Sequence, residues 1–155
     1  VRVRLRPAED ADLAWVAAIA RDPRVAPALA LGAADELPGA IARGELLVDA
    51  ERRGAARLVV TVARHGLASI RTVVVDPDRH GAGVGLALVR ALVDEAFTAR
   101  GLHRLEAEVY AYNTPGLRLF ERAGFTRDGV RRQAWERHGA WQDGVIYGLL
   151  STDPR

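Results

Sequence analysis

The chain of 155 residues contains no cysteine, no methionine and no lysine, and only 6 % of it is aromatic. Each absence closes a route. Without cysteine there is no disulfide framework, no thiolate nucleophile and none of the sulfur ligands on which most structural zinc sites rely. The four histidines fall at no metal-ligand spacing, so no metal is expected. Without methionine, the initiator residue does not belong to this chain. No apolar run approaches the roughly 20 residues of a membrane span, and no secretory signal pattern opens the sequence. No membrane partner is expected, and the expected location is cytoplasmic. The missing lysine explains a misleading number. All the basic residues are arginines, which stay charged far above neutrality and lift the pI to 9.6, while the net charge at pH 7 is only +2. Those arginines alternate with acids, as in "AERRGAAR" and "WERH". A nucleic-acid binder would gather one sign into a stripe, so no nucleic-acid partner is expected.

What is present reads as one domain over residues 1–155, because 49 % of the residues are apolar and no repeat or linker interrupts them. "VRVRLRP" alternates strictly and predicts a half-buried strand ended by Pro7. Leu13, Val16, Ala17 and Ala20 then follow helical spacing behind the acids Glu9, Asp10 and Asp12. Residues 21–44 carry three prolines and read as loop with a short helix, a connector first and a substrate lid second. "ELLVDA", "ARLVVTVAR" and "ASIRTVVVD" predict three strands joined by turns at "ERRG" and "HGL". A helix follows Gly85, with Leu88, Val89, Leu92, Val93, Ala96 and Phe97 on one face and Gly101 at its end. "HRLEAEVYAY" predicts a strand, "TPGLRLFERAG" a short helix, and the tail two strands around "RHGA". The order β-α-(α)-β-β-β-α-β-α-β-β predicts an α/β fold: a mixed, mostly antiparallel central sheet flanked by helices on both faces.

The stretch "VVVDPDRHGAGVGLALV" places glycines 81, 83 and 85 between a strand and a helix. A glycine loop running into a first helical turn offers unpaired N–H groups and a favourable dipole to a phosphate. A nucleoside-triphosphate loop would continue with Lys-Ser/Thr, whereas Val84, Gly85 and Leu86 follow Gly83. A dinucleotide fingerprint would read G-x-G-x-x-G in a parallel βαβ unit, and here it reads G-x-G-x-G behind antiparallel hairpins. The stretch instead resembles the acyl-CoA loop of the GNAT superfamily of N-acetyltransferases, V-x-P-x-x-(R/Q)-G-x-G-(I/V)-G/A, at Val75, Pro77, Gly81, Gly83, Val84 and Gly85. His80 departs from the usual Arg or Gln. Downstream, "NTPGLRLFERAGF" resembles the superfamily's N-x-x-A/G-x-x-L-Y-E-x-x-G-F. Within the superfamily the chain looks most like ribosomal-protein-alanine N-acetyltransferases and the amino-acid or antibiotic N-acetyltransferases near them.

That resemblance implies acetyl-CoA as the acyl-donor cosubstrate. Backbone groups of Val73, Val74 and Val75 would pair with its pantetheine arm like an added strand. The N–H groups of His80, Gly81, Ala82, Gly83, Val84 and Gly85 would hold the pyrophosphate, and Asn113 would bond the arm near the thioester. For Asn113 a plain helix N-cap is the other reading, compatible with the first.

For catalysis the residues themselves speak through "RLEAEVYAY". Leu105, Ala107, Val109 and Ala111 share one strand face, and Glu106, Glu108, Tyr110 and Tyr112 the other. Glu106 and Glu108 are the candidate bases, directly or through water; pairing with arginines or with solvent is the alternative for each. Superfamily members place an acidic Tyr where Phe120 stands, so Tyr110, Tyr112 or Tyr147 would have to donate, or the thiol would leave unaided. Ser69 and Thr72 are further substrate-contact candidates. Trp135 and Trp141 read as core or dimer packing first and substrate wall second. The expectation is a direct acetyl transfer to a primary amine of a small molecule, amino acid or peptide N-terminus, with a homodimer as an open option. A catalytically weak acyl-CoA-binding sensor or scaffold is the alternative, kept open by Phe120.

Overall fold

The computed structural model describes all 155 residues. Its β-branched and alternating stretches build one seven-stranded sheet. The strands are β1 (Leu5–Pro7), β2 (Leu46–Asp49), β3 (Gly54–Val62), β4 (Leu67–Val75), β5 (Arg104–Tyr110), β6 (Thr126–Arg137) and β7 (Ala140–Leu150). They lie in the order β1-β2-β3-β4-β5-β7-β6. Every neighbouring pair is antiparallel except β4–β5. A parallel pair needs a crossover, and helix α3 (Val84–Asp94) supplies it.

The helices lie on both faces, as the element order predicts. α1 (Leu13–Arg21) and α2 (Leu37–Ala42) cover one face through a core that includes Val16, Leu37, Val48 and Val74. α3 and α4 (Thr114–Arg122) cover the other, over Leu58, Ile70, Leu105, Ala107 and Val109. Phe120 of α4 is buried there, edge-on to Phe125 and stacked on Tyr147. Residues 21–44 hold two short 3-10 turns before α2, in keeping with the expected loop and short helix.

Three details differ from the sequence reading. The first strand pairs only over Leu5–Pro7, because its partner β2 ends at Asp49; further out, the Arg53 guanidinium takes the carbonyl of Arg2. The long helix loosens into a π turn over Glu95–Ala99 before Gly101 ends it. Neither tryptophan of the last hairpin lies in a core: Trp135 is 43 % and Trp141 61 % exposed, since near the hairpin turn β6 and β7 pair only with each other.

A forked strand pair as candidate active site

The parallel strands β4 and β5 stay together for only three residues each, Leu67–Ser69 against Arg104–Glu106. Beyond that point β4 continues to Val75 and β5 to Tyr110 without pairing to each other. The result is a fork in the middle of the sheet. A bulge sharpens it: Ala55 pairs with Val74 but Arg57 with Arg71, and the extra residue, Thr72, takes a left-handed φ of 53°. A non-glycine residue in that region stores strain and bends the strand.

Strand alternation decides which backbone groups face the fork. The Asp76 N–H bonds to Arg53 on the β3 side, so Val75, and Val73 two residues earlier, turn their amides and carbonyls into the fork. Of the expected trio Val73, Val74 and Val75, the first and last thus turn their backbone groups to the fork, and Val74 turns its own towards Ala55 of β3. The His80 imidazole lies 3.2 Å from the Val75 carbonyl through Nε2.

The fork opens towards the glycine loop. Gly81 and Gly83 both adopt φ of 82°, which glycine alone reaches without strain, and Gly83 is the N-cap of α3. Within the loop, the His80 N–H bonds to Pro77 and the Ala82 N–H to Arg79. The N–H groups of Gly81, Gly83, Val84 and Gly85 have no backbone partner. Four of the six expected phosphate donors are thus free, and two are spent on turns. Across the fork, Asn113 caps α4 with Oδ1, accepting from Gly116 N at 3.1 Å. Its amide nitrogen donates to nothing within the chain. Free amides at a helix N-terminus, an unpaired strand edge and one spare amide donor fit a pyrophosphate on a peptide-like arm. A second groove, between residues 1–5 and the outer face of α3, reaches the loop only at Ala82 and Gly83.

On the α1/α2 face of the fork stand Ser69, Arg71, Glu106, Glu108 and Tyr110. Both carboxylates are bonded. Glu108 accepts from Arg131 Nε at 2.9 Å and Trp135 Nε1 at 2.6 Å. Glu106 accepts from Arg104 Nε at 3.1 Å, while another nitrogen of Arg104 donates to Asp128 at 2.6 Å. Two glycines of β7 make these bridges possible. A Cβ on Gly144 would overlap the Glu108 carboxylate, and one on Gly148 would overlap Asp128. Tyr110 is half-buried and stacked on Tyr112. Burial pushes its phenol up, with the nearby Arg137 guanidinium pulling the other way. Tyr147 is the contrary case. It is fully buried and its hydroxyl donates to Glu121 at 2.9 Å, away from the fork. Tyr112 bonds to the Pro27 carbonyl, and Arg137 to those of Ala26 and Leu29, so the loop before α2 is latched to the last hairpin.

The sequence profile of the Acetyltransferase (GNAT) family matches residues 15–125. The chain belongs to the GNAT acetyltransferase family. Among curated GNAT proteins, a probable N-acetyltransferase, YjcK, of Bacillus subtilis (strain 168) is 36 % identical over 78 residues, 50 % of this chain and 43 % of that protein. The [ribosomal protein bS18]-alanine N-acetyltransferase of Escherichia coli (strain K12) is 34 % identical over 82 residues, 53 % of this chain and 55 % of its own. The chain thus spans about half the length of the curated relatives it matches. Spermidine N-acetyltransferase from Vibrio cholerae, solved with CoA and spermine, superposes with a TM-score of 0.83 at 21 % identity, covering 98 % of this chain and 97 % of that one. An acetyltransferase of the family from Bacillus anthracis gives 0.82 at 20 % identity, covering 99 % and 97 %. At such identity these two establish the shared GNAT fold.

Sequence reading missed Arg131, Trp135 and Gly144 as neighbours of Glu108, and Arg71 as a neighbour of Ser69. Only the alternation of β4 signalled Arg71, as a charge on the face of Ser69. The others come from β6 and β7, remote in sequence.

Proposed function

We propose that this GNAT domain is an acetyl-CoA-dependent N-acetyltransferase that moves the acetyl group directly to a primary amine in a ternary complex. The β4–β5 fork carries this reading, since it joins an unpaired strand edge to the free amides of the α3 N-terminus. Bound acetyl-CoA would supply an activated thioester. Val73 and Val75 hold the arm by backbone bonds. Gly81, Gly83, Val84 and Gly85 bind the pyrophosphate, and the Asn113 amide orients the arm at the fork. An alkyl ammonium must lose a proton before attack. Glu108, fixed by two donors, holds that amine or the water that takes its proton, with Glu106 one step further out. Tyr110, kept protonated by burial, donates on the departing side. No cysteine exists to carry the acetyl group.

Calorimetric titration with acetyl-CoA, beside Gly83→Asp, tests the first half. Saturable binding that the aspartate abolishes supports it, and no binding by the folded wild type overturns it. Thiol release with a panel of amines tests the second. Phe120 favours one other reading, a catalytically weak acyl-CoA-binding domain, because a buried phenyl ring stands where a hydroxyl is usual in the family. A large gain in turnover from Phe120→Tyr would select that reading.

A further inference from the structure

The carboxylates on this face of the fork already have partners within the chain. Glu106 and Asp128 share Arg104, and Glu108 is held by Arg131 and Trp135. What the face leaves open is a cation. Arg71 projects from β4 two residues past the point where the fork opens, on the same side as Ser69 and Glu106. Its single bond is a long one, Nε to Ser69 Oγ at 3.4 Å, and its two terminal nitrogens have no partner. Directly opposite in register stands Arg57 of β3. Arg57 is 5 % exposed, paired to Glu36 at 2.8 Å and to Glu45 at 3.7 Å, and its Nε is buried with no hydrogen-bond partner. Arg57 thus has carboxylate partners of its own, whereas the exposed Arg71 has none. A guanidinium fork is shaped to take a carboxylate through two parallel bonds.

Resting on the transferase reading above, we infer that the acceptor is a free α-amino acid: Arg71 binds its carboxylate while its amine sits at the fork by Glu108. Arg71 is a specificity-determining residue here. The carboxylate replaces the missing counter-ion, and a polyamine would bring a further positive charge to an arginine that already lacks one. A peptide N-terminus, whose first carbonyl is an amide, would forfeit the charge-assisted pair.

The test compares free amino acids with their own α-carboxamides, and with spermidine, in thiol-release kinetics on the whole chain. Wild type should favour the acid over the amide on the order of 10- to 100-fold in kcat/KM, the size of a hydrogen-bonded charge pair. Arg71→Gln should bring that ratio towards one, mainly through KM of the acid, and Arg71→Lys should keep part of it. Amides or spermidine used as well as acids, or a ratio untouched by Arg71→Gln, would overturn the inference. If acetyl-CoA binds but no amine turns over, the transferase reading fails. The subsite is then still read by titrating the CoA-saturated protein with glycine, alanine and methionine and with their amides. Tighter binding of the acids, lost in Arg71→Gln, supports it, and equal or no binding of both overturns it.

Discussion

Glu108 is the residue on which the chemistry of the fork is most exposed to test. Its two oxygens meet an indole N–H and a guanidinium, so its position is set before any substrate arrives. Glu108→Gln keeps the volume but puts an amide NH2 against one of those donors. We expect kcat/KM to fall on the order of 10²-fold or more, with acetyl-CoA affinity unchanged in calorimetry. A rate within error of wild type would remove Glu108 from the reaction. Phe120 gives the complementary prediction. With Tyr110 donating, Phe120→Tyr should change kcat by less than about tenfold, whereas Tyr110→Phe should lower it by more; stopped-flow thiol release separates the two. The raised pKa of Tyr110 means that its proton stays in place through neutral pH and is lost only above the ordinary phenol range near 10.

At the scale of elements, the start of α1 is the clearest electrostatic joint. Asp12 is 1 % exposed and accepts from both Arg6 terminal nitrogens, the Trp15 indole and the Glu9 amide. It ties β1 to α1. The Arg6 bond, chiefly, holds its carboxyl well below the usual carboxylate range. A depressed folded-state pKa contributes stability that is complete above the unfolded value, near 4, and is lost as pH falls through the folded one. Asp12→Asn should therefore cost about 2–3 kcal/mol at pH 7, and its stability should decline less steeply than wild type below pH 4. Urea unfolding at pH 7 and pH 3 checks both; equal losses at the two pH values would contradict it. The elements also show what sequence can carry. Alternation and β-branched runs made β3, β4, β5 and β7 legible, and the glycine loop was legible because a phosphate cradle is local in sequence. The reach of β1 was not, since it depends on where a partner 40 residues away stops. Nor was the clasp on Glu108, because its donors come from β6 and its room from Gly144 of β7; the Glu106 partner, Arg104, lies two residues away on the same strand, yet its second bond goes to Asp128 of β6 beside Gly148. Gly144→Ala should accordingly depress activity as Glu108→Gln does, through displacement of the same carboxylate.

Across the whole molecule, the fork is held from both sides. The α3/α4 core supports one face, and on the other the Arg137 and Tyr112 latch ties the loop before α2 to the hairpin. A ligand that bridges β4 to the N-termini of α3 and α4 joins elements that the sheet leaves apart, so its binding must register in global stability. At about 100 times its dissociation constant, acetyl-CoA should stabilise the fold by about 2.7 kcal/mol, a rise in Tm on the order of 5–10 °C for a chain of this size. Gly83→Asp places a carboxylate where four amides await an anion, and forces a side chain into a left-handed φ. It should lose that rise, while the unliganded variant loses only about 1–2 kcal/mol for the strained residue. The absence of lysine then makes the measurement clean: the chain offers no side-chain amine that acetyl-CoA could modify. A shift in Tm that comes from reversible binding should return to the starting value on desalting. A shift that survived desalting would contradict this account of the ligand.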